Sequence, residues 1–409
     1  MRPRPTRAPR TLLLTLVLAA AGPLAAQGQL PRWRQDPYTR NDPKLMADLG
    51  YVSYGPFRFG NATTEEIDRH VSYDRILWVE TAHFRFGSAL QAWDVPLEPD
   101  TKSKLREELL RLKKKLPQIN EKPRQLDPWL RLHLFAMRLE EHYAQLQEWL
   151  GVTDADFPGG VDKVVRGQGR YMGQGPYLGQ PDKYLVLLFE KEGSYQDYVK
   201  RFVGRVTKFG QRWNFKEQGS LFYGVAADME GGRLRHDTAV HANTIFNVTH
   251  NLIDGYRFYA YDLPVWIKVG LAHYFERKIS PKWNSFDMNE ASLADMRPLW
   301  RWEQEARKLV SGDKGTPLSE AYTWRDYSQI EFNDHILIWS RWDYLMGQGK
   351  EKFAAFMLDV KGRVTADWLP DQNDLVGATR EALQKHYSLS PLTFDLRWKE
   401  WVLKTYPAQ

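Results

Sequence analysis

From Asp127 to Gly151, "DPWLRLHLFAMRLEEHYAQLQEWLG", apolar residues recur at Leu132, Phe135, Ala136, Leu139, Tyr143, Leu146 and Leu150. A spacing of three and four puts them on one stripe of a helix. Asp127 suits its N-cap, Pro128 its first position and Gly151 its stop. "DTKSKLREELLRLKKKL" (Asp100–Leu116) predicts a second helix, with an Asp or Thr cap and a solvated charged face. The unbroken apolar run "KYLVLLFE" (Lys183–Glu190) predicts a buried strand, and "RILWVETAHFRFGSAL" (Arg75–Leu90) one or two more. "SYQDYVKRFVGR" then reads as a short helix, and "RWNF" with "GSLFYGVAADM" as one or two strands. Thr238–Asp254 and Pro264–Arg277 predict a helix pair. Downstream, "NDHILIWSRWDYLMG", "KEKFAAFMLDV", "ATREALQKHY" and "FDLRWKEWVLKTY" continue as helices. Glycines recur from Gly159 to Gly179 without the flanking strand and helix of a phosphate-binding loop, so this stretch reads as a flexible or hairpin-rich connection. Gln27 to about Gly60 lacks periodicity and reads as an extended leader. Strands leading into a helix pair, then a helical tail, make an α+β chain.

Composition changes this picture at the N-terminus. Arg2, Arg4, Arg7 and Arg10, the apolar run "TLLLTLVLAAAG" and the small residues of "PLAAQG" follow the order of a secretory signal peptide over residues 1–26. The apolar run falls short of the ~20 residues a membrane span needs. The expected product is exported, periplasmic or extracellular, with no transmembrane span after cleavage. Without those four arginines the formal charge falls from +6 to +2, so the basic balance does not imply a nucleic-acid partner. The absence of cysteine excludes disulfides, thiol catalysis and cysteine-held metal. Sixteen tryptophans would suit a sugar-binding surface, but Trp339/Trp342 and Trp398/Trp401 sit at helical spacing, as core anchors do. Glu140 and Glu141 are adjacent on a helix, point apart, and read as surface charges.

The helix pair carries the candidate chemistry. On the first helix Asn243, Asn247, His250 and Asp254 form a polar stripe flanked by apolar positions. Such a stripe should face solvent, a cleft or a polar partner element. On the second, Trp266, Val269, Gly270 and His273 share a side.

"FNVTHNLID" (Phe246–Asp254) followed by "LPVWIKVGLAHYFE" (Leu263–Glu276) resembles the peptidase-MA-like, gluzincin-type metallopeptidase family, including its secreted bacterial members. That family has H-E-x-x-H on one helix and a segment like "LPxWLxEGLAxYFE" on the next. The second segment matches at Leu263, Pro264, Trp266, Gly270, Leu271, Ala272, Tyr274, Phe275 and Glu276. The resemblance implies a zincin-like core, a small sheet plus the active-site helix pair, with helical N-terminal and C-terminal parts. The expected organisation is signal peptide 1–26, a leader, strands and long helix over 27–160, the core over 161–280 and a helical region over 281–409.

The family's zinc chemistry does not carry over. Phe246 stands at the first ligand position, Asn247 at that of the general base, and Val269 at the third ligand position; only His250 matches. An amide accepts no proton, and zinc keeps three protein ligands even in catalytic sites. The leading expectation is therefore a pseudopeptidase without cofactor. It would bind a peptide, a polysaccharide or an envelope partner at the former substrate cleft, with Asn243, Asn247, His250, Asp254, Trp266 and His273 as candidates. The alternatives are an active zinc hydrolase with His250, Asp254 and His273 as relocated ligands, and a carbohydrate-binding protein using exposed tryptophans. Tyr327 and His335 lie on or near a later helix, and no family role is carried to them.

Overall fold

The computed structural model describes residues 31–167, 169–259, 263–286 and 300–408; the signal-peptide expectation lies outside them. Six strands form one mixed sheet: β1 (Tyr51–Ser53), β2 (Leu77–Thr81), β3 (Phe84–Ser88), β4 (Tyr184–Phe189), β5 (Gln211–Phe215) and β6 (Ser220–Ala226), in the order β1-β2-β3-β4-β6-β5. β4 runs parallel to both β3 and β6, while β5 closes one edge antiparallel to β6. All six residues of β4 are buried, as its unbroken apolar run requires of a strand covered on both faces.

Among the described residues nine longer helices accompany this sheet: α1 (Pro99–Lys113), α2 (Pro128–Leu150), α3 (Asp237–Gly255), α4 (Val265–Ile279), α5 (Trp302–Ser311), α6 (Phe332–Met346), α7 (Lys350–Lys361), α8 (Leu375–Tyr387) and α9 (Pro391–Thr405). The chain is α+β. α2 keeps the ends its sequence announces: the Asp127 carboxylate accepts from the Trp129 and Leu130 amides at 2.9 and 3.1 Å, and Gly151 ends it at φ 63°. α3 packs along α4, and α4 in turn along α6.

Several expectations need correction. The span from Gln27 to Gly60 is more than a leader within its described part. Tyr51–Ser53 pairs with β2 at the sheet edge, and Asp36 is buried, accepting from Tyr54 Oη at 2.7 Å and facing His133 Nε2 at 3.1 Å. α1 starts after Glu98 without a side-chain cap, so neither Asp100 nor Thr101 caps it. The glycine-rich stretch does make a hairpin-type turn, with Tyr177 and Gln180 bonded to each other through their backbones, but it is packed rather than flexible where it nears α3. A Cβ on Gly173 would lie 2.4 Å from Gly179, and one on Gly179 would lie 2.8 Å from the Arg257 backbone. Glycine there permits close backbone approach. Glu140 is no surface charge, since it accepts from the His83 amide at 2.9 Å and meets His83 Nδ1 at 2.6 Å. Glu141 does lie outside, held bidentate by Arg111.

Candidate functional site

α3 supplies the polar stripe, and every residue from Ala239 to Gly255 is buried. The stripe therefore faces other elements, and each polar side chain on it needs a partner. Tyr223, on β6, donates its hydroxyl to Asn243 Oδ1, while Asn243 Nδ2 donates to Ser285 Oγ at 3.2 Å. Asn247 Nδ2 donates to the Asn243 carbonyl at 2.9 Å, and its Oδ1 accepts from Arg212 of β5 at 2.7 Å. Asp254 lies 3.6 Å from Lys268 of α4, and Lys361 donates to its backbone carbonyl at 2.7 Å. The Arg212 and Lys268 cations stand 5.6 and 5.5 Å from the centre of the Tyr327 ring, within cation–π range.

These surroundings set the charge states. Burial pushes the His250 imidazole well below its usual range, and the Arg212 and Lys268 charges push it the same way, so it is neutral. Burial raises the Asp254 carboxyl against the pull of Lys268. Burial opposes the Lys268 charge, but Asp254 and Tyr327 outweigh it and raise its pKa. Burial also brings Lys361 down to about 7, with Asp254 working against it.

Phe246, His250 and His273 come together between the two helices. The Phe246 ring centre lies 4.9 Å from that of His250 and 5.0 Å from that of His273. Phe246 and Val269 are buried core residues, and Asn247 is held from both ends of its amide. An aromatic ring thus occupies the space next to His250.

Of the relocated ligand candidates, His273 is engaged by protein neighbours. His273 meets Glu276 Oε1 at 2.6 Å through Nδ1 and His335 Nδ1 at 2.8 Å through Nε2, so both of its nitrogens are engaged. Among the described residues no group of three or more His, Asp and Glu is placed to hold a metal ion. Glu276 is fully buried and accepts from the Ser285 amide at 3.0 Å; burial raises its pKa well above the carboxylate range. His335, which carried no role in the sequence, closes this internal chain, and burial brings it down to about 3.

Trp266 is not a cleft wall. It is fully buried, stacks on Trp342 with ring centres 5.3 Å apart, and its carbonyl accepts from Trp342 Nε1 at 3.0 Å. Most tryptophans are likewise buried or half-buried, and only Trp300 is exposed, at 37%.

Tyr223, Arg212 and Lys268 were not singled out in the sequence, yet they partner the stripe. Lys268 had a signal: a lone charge in the apolar run "LPVWIKVGLA" requires a buried counter-charge, and Asp254 on the neighbouring helix supplies it. Arg212 and Tyr223 had none, because pairing between β5 and β6 and packing on α3 bring them there. Comparison of the chain with protein-family models, curated proteins and solved structures gave no match.

Proposed function

We propose that this protein is an exported, non-catalytic protein of peptidase-MA-like descent that acts by binding a peptide segment of an envelope partner. The observation that carries the reading is the fate of the three degenerate positions. Phe246 and Val269 are buried apolar residues and Asn247 is tied to Arg212 and to the Asn243 carbonyl, so neither a metal nor an activated water is served there. A peptide is favoured over a polysaccharide because β5 is an edge strand and Arg212 joins it to the stripe. An extended chain added to a sheet edge gains backbone hydrogen bonds, with side-chain pockets for specificity. The near absence of exposed tryptophans also speaks against a sugar surface.

Elemental analysis of the protein purified without chelator tests the catalytic part: zinc far below one per chain is expected. Near-stoichiometric zinc, lost on His250→Ala, would overturn the reading. The family register is tested separately by Phe246→His with Asn247→Glu and Val269→Glu, which should gain zinc. A folded triple variant that binds none means that the helix pairing or the register is wrong. For the binding part, displayed peptides selected on the native chain should lose affinity on Arg212→Glu.

A further inference from the structure

The helix α9 carries two apolar faces where one would seat it. Phe394, Trp398 and Val402 are buried, and α9 packs on α5 and α6. On the other face Leu392, Leu396 and Leu403 are 71%, 55% and 41% exposed. With Lys399 they recur at spacings of four, three and four. That is the seam of a two-stranded coiled coil, and it differs from leucines scattered singly over a surface. The exposed leucines line up over ~16 Å of helix as an apolar ridge.

The polar residues along the ridge limit what can cover it. Lys399 stands third in the seam, and its Nζ meets Asp313 Oδ1 at 2.6 Å, which draws the charge aside and leaves the methylene stem to the seam. Arg397 and Glu400 lie on the solvent side of α9, both exposed, and neither makes an ion pair among the described residues.

Two parallel copies of α9 would set Lys399 against Lys399, like charges in one seam. Two antiparallel copies, about an axis between positions 397 and 398, set Leu392 against the partner's Leu403 and Leu396 against the stem of the partner's Lys399. Glu400 then comes within ~3 Å, measured along the axis, of the partner's Arg397. Two-fold symmetry makes this ion pair twice. The charges of α9 are therefore complementary to those of a second α9. An anionic lipid surface is the poorer match, because Glu400 would face its headgroups.

We propose that this chain forms a weak homodimer through an antiparallel pair of α9 helices, with Leu392, Leu396 and Leu403 in the seam and reciprocal Arg397–Glu400 ion pairs. The inference rests on neither the zinc signature nor the peptide-binding reading. One helix per copy is a small interface, so a dissociation constant of about 10 μM is expected. Sedimentation velocity of the full chain at rising concentration tests it. Leu396→Asp should weaken the dimer at least about tenfold, since the change enters the seam twice. Arg397→Glu and Glu400→Arg should each weaken it about fivefold by setting like charges together. Mixed with each other, these two single variants should regain a heterodimer close to the parent in strength. All three positions are exposed, and circular dichroism checks that each variant folds. A chain still monomeric at about 0.2 mM, some twentyfold above that constant, overturns the proposal. So does a dimer that Leu396→Asp leaves unchanged, or a pair of charge variants that do not rescue each other. A monomer that instead floats with phosphatidylglycerol vesicles, and loses this with Leu396→Asp, assigns the ridge to lipid and overturns it as well.

Discussion

Gly270, at the centre of the second signature helix, gives two physical effects of opposite sign. On an exposed helix Gly→Ala stabilises by up to ~1 kcal/mol through backbone entropy. At position 270 the new Cβ would lie 2.0 Å from Trp342 Cδ1, 2.7 Å from Ile338 Cγ2 and 2.8 Å from Trp342 Nε1. No rotamer change at the small Cβ avoids this, so Trp342 or the whole of α6 must shift. Overpacking of a core costs ~1–3 kcal/mol. Displacing Trp342 also breaks its 3.0 Å bond to the Trp266 carbonyl and leaves a buried N–H unsatisfied, a further ~1–3 kcal/mol. The propensity gain of up to ~1 kcal/mol recovers at most about half of the loss, so Gly270→Ala should destabilise by ~3 kcal/mol. Equilibrium urea unfolding followed by tryptophan fluorescence measures it as a lowered midpoint at unchanged slope. Gly193, where an added Cβ meets nothing within 4 Å, is the matched control. Gly193→Ala should be neutral or stabilise by up to ~1 kcal/mol. A Gly270→Ala protein as stable as the parent would refute the close seating of α4 on α6, and with it the helix arrangement that holds the candidate site.

Other outcomes follow from buried charge. Burial lowers His142 from 6.5 to about 4, with the Gln145 hydrogen bond opposing. The unfolded chain then holds the extra proton between those values, so stability falls as pH drops through that window and levels off below it. The shift of about 2.5 units is worth ~3 kcal/mol. His142→Gln should flatten the pH dependence of urea stability by about one proton in this window, and an unaltered slope would contradict the burial of a neutral ring. Arg138→Met leaves Glu108 and Asp237 without their shared cation in the protein interior and should destabilise by ~3–5 kcal/mol in the same assay. A loss below ~1 kcal/mol would mean that solvent reaches these carboxylates. Asn247→Ala frees Arg212 from its 2.7 Å bond, and the selected peptides of the binding test should change in sequence rather than vanish.

The sequence by itself determined the elements whose causes are local. Periodicity and caps defined α2, unbroken apolar residues defined β4, and the regular spacing of Asn243, Asn247, His250 and Asp254 defined the stripe. It also determined which chemistry is missing, because a zinc ligand or general base is a property of a side chain, and Phe246, Asn247 and Val269 lack it. Weak signals hid the short edge strand Tyr51–Ser53, which exists only because β2 offers a partner, and the cap of α1, where Glu98 rather than Asp100 or Thr101 takes the boundary position. Only tertiary structure decided the partners. Arg212 reaches Asn247 across 35 residues, His335 reaches His273 across 62, and Lys361 reaches Asp254 across 107. Contacts of that separation leave no periodic trace in a single chain, because they arise from the packing of whole elements. The same packing engaged both nitrogens of His273, buried Trp266 and left His241 Nε2 buried without a hydrogen-bond partner. Side-chain type fixes what a residue can do, and burial among distant neighbours decides which of those things remains available to it.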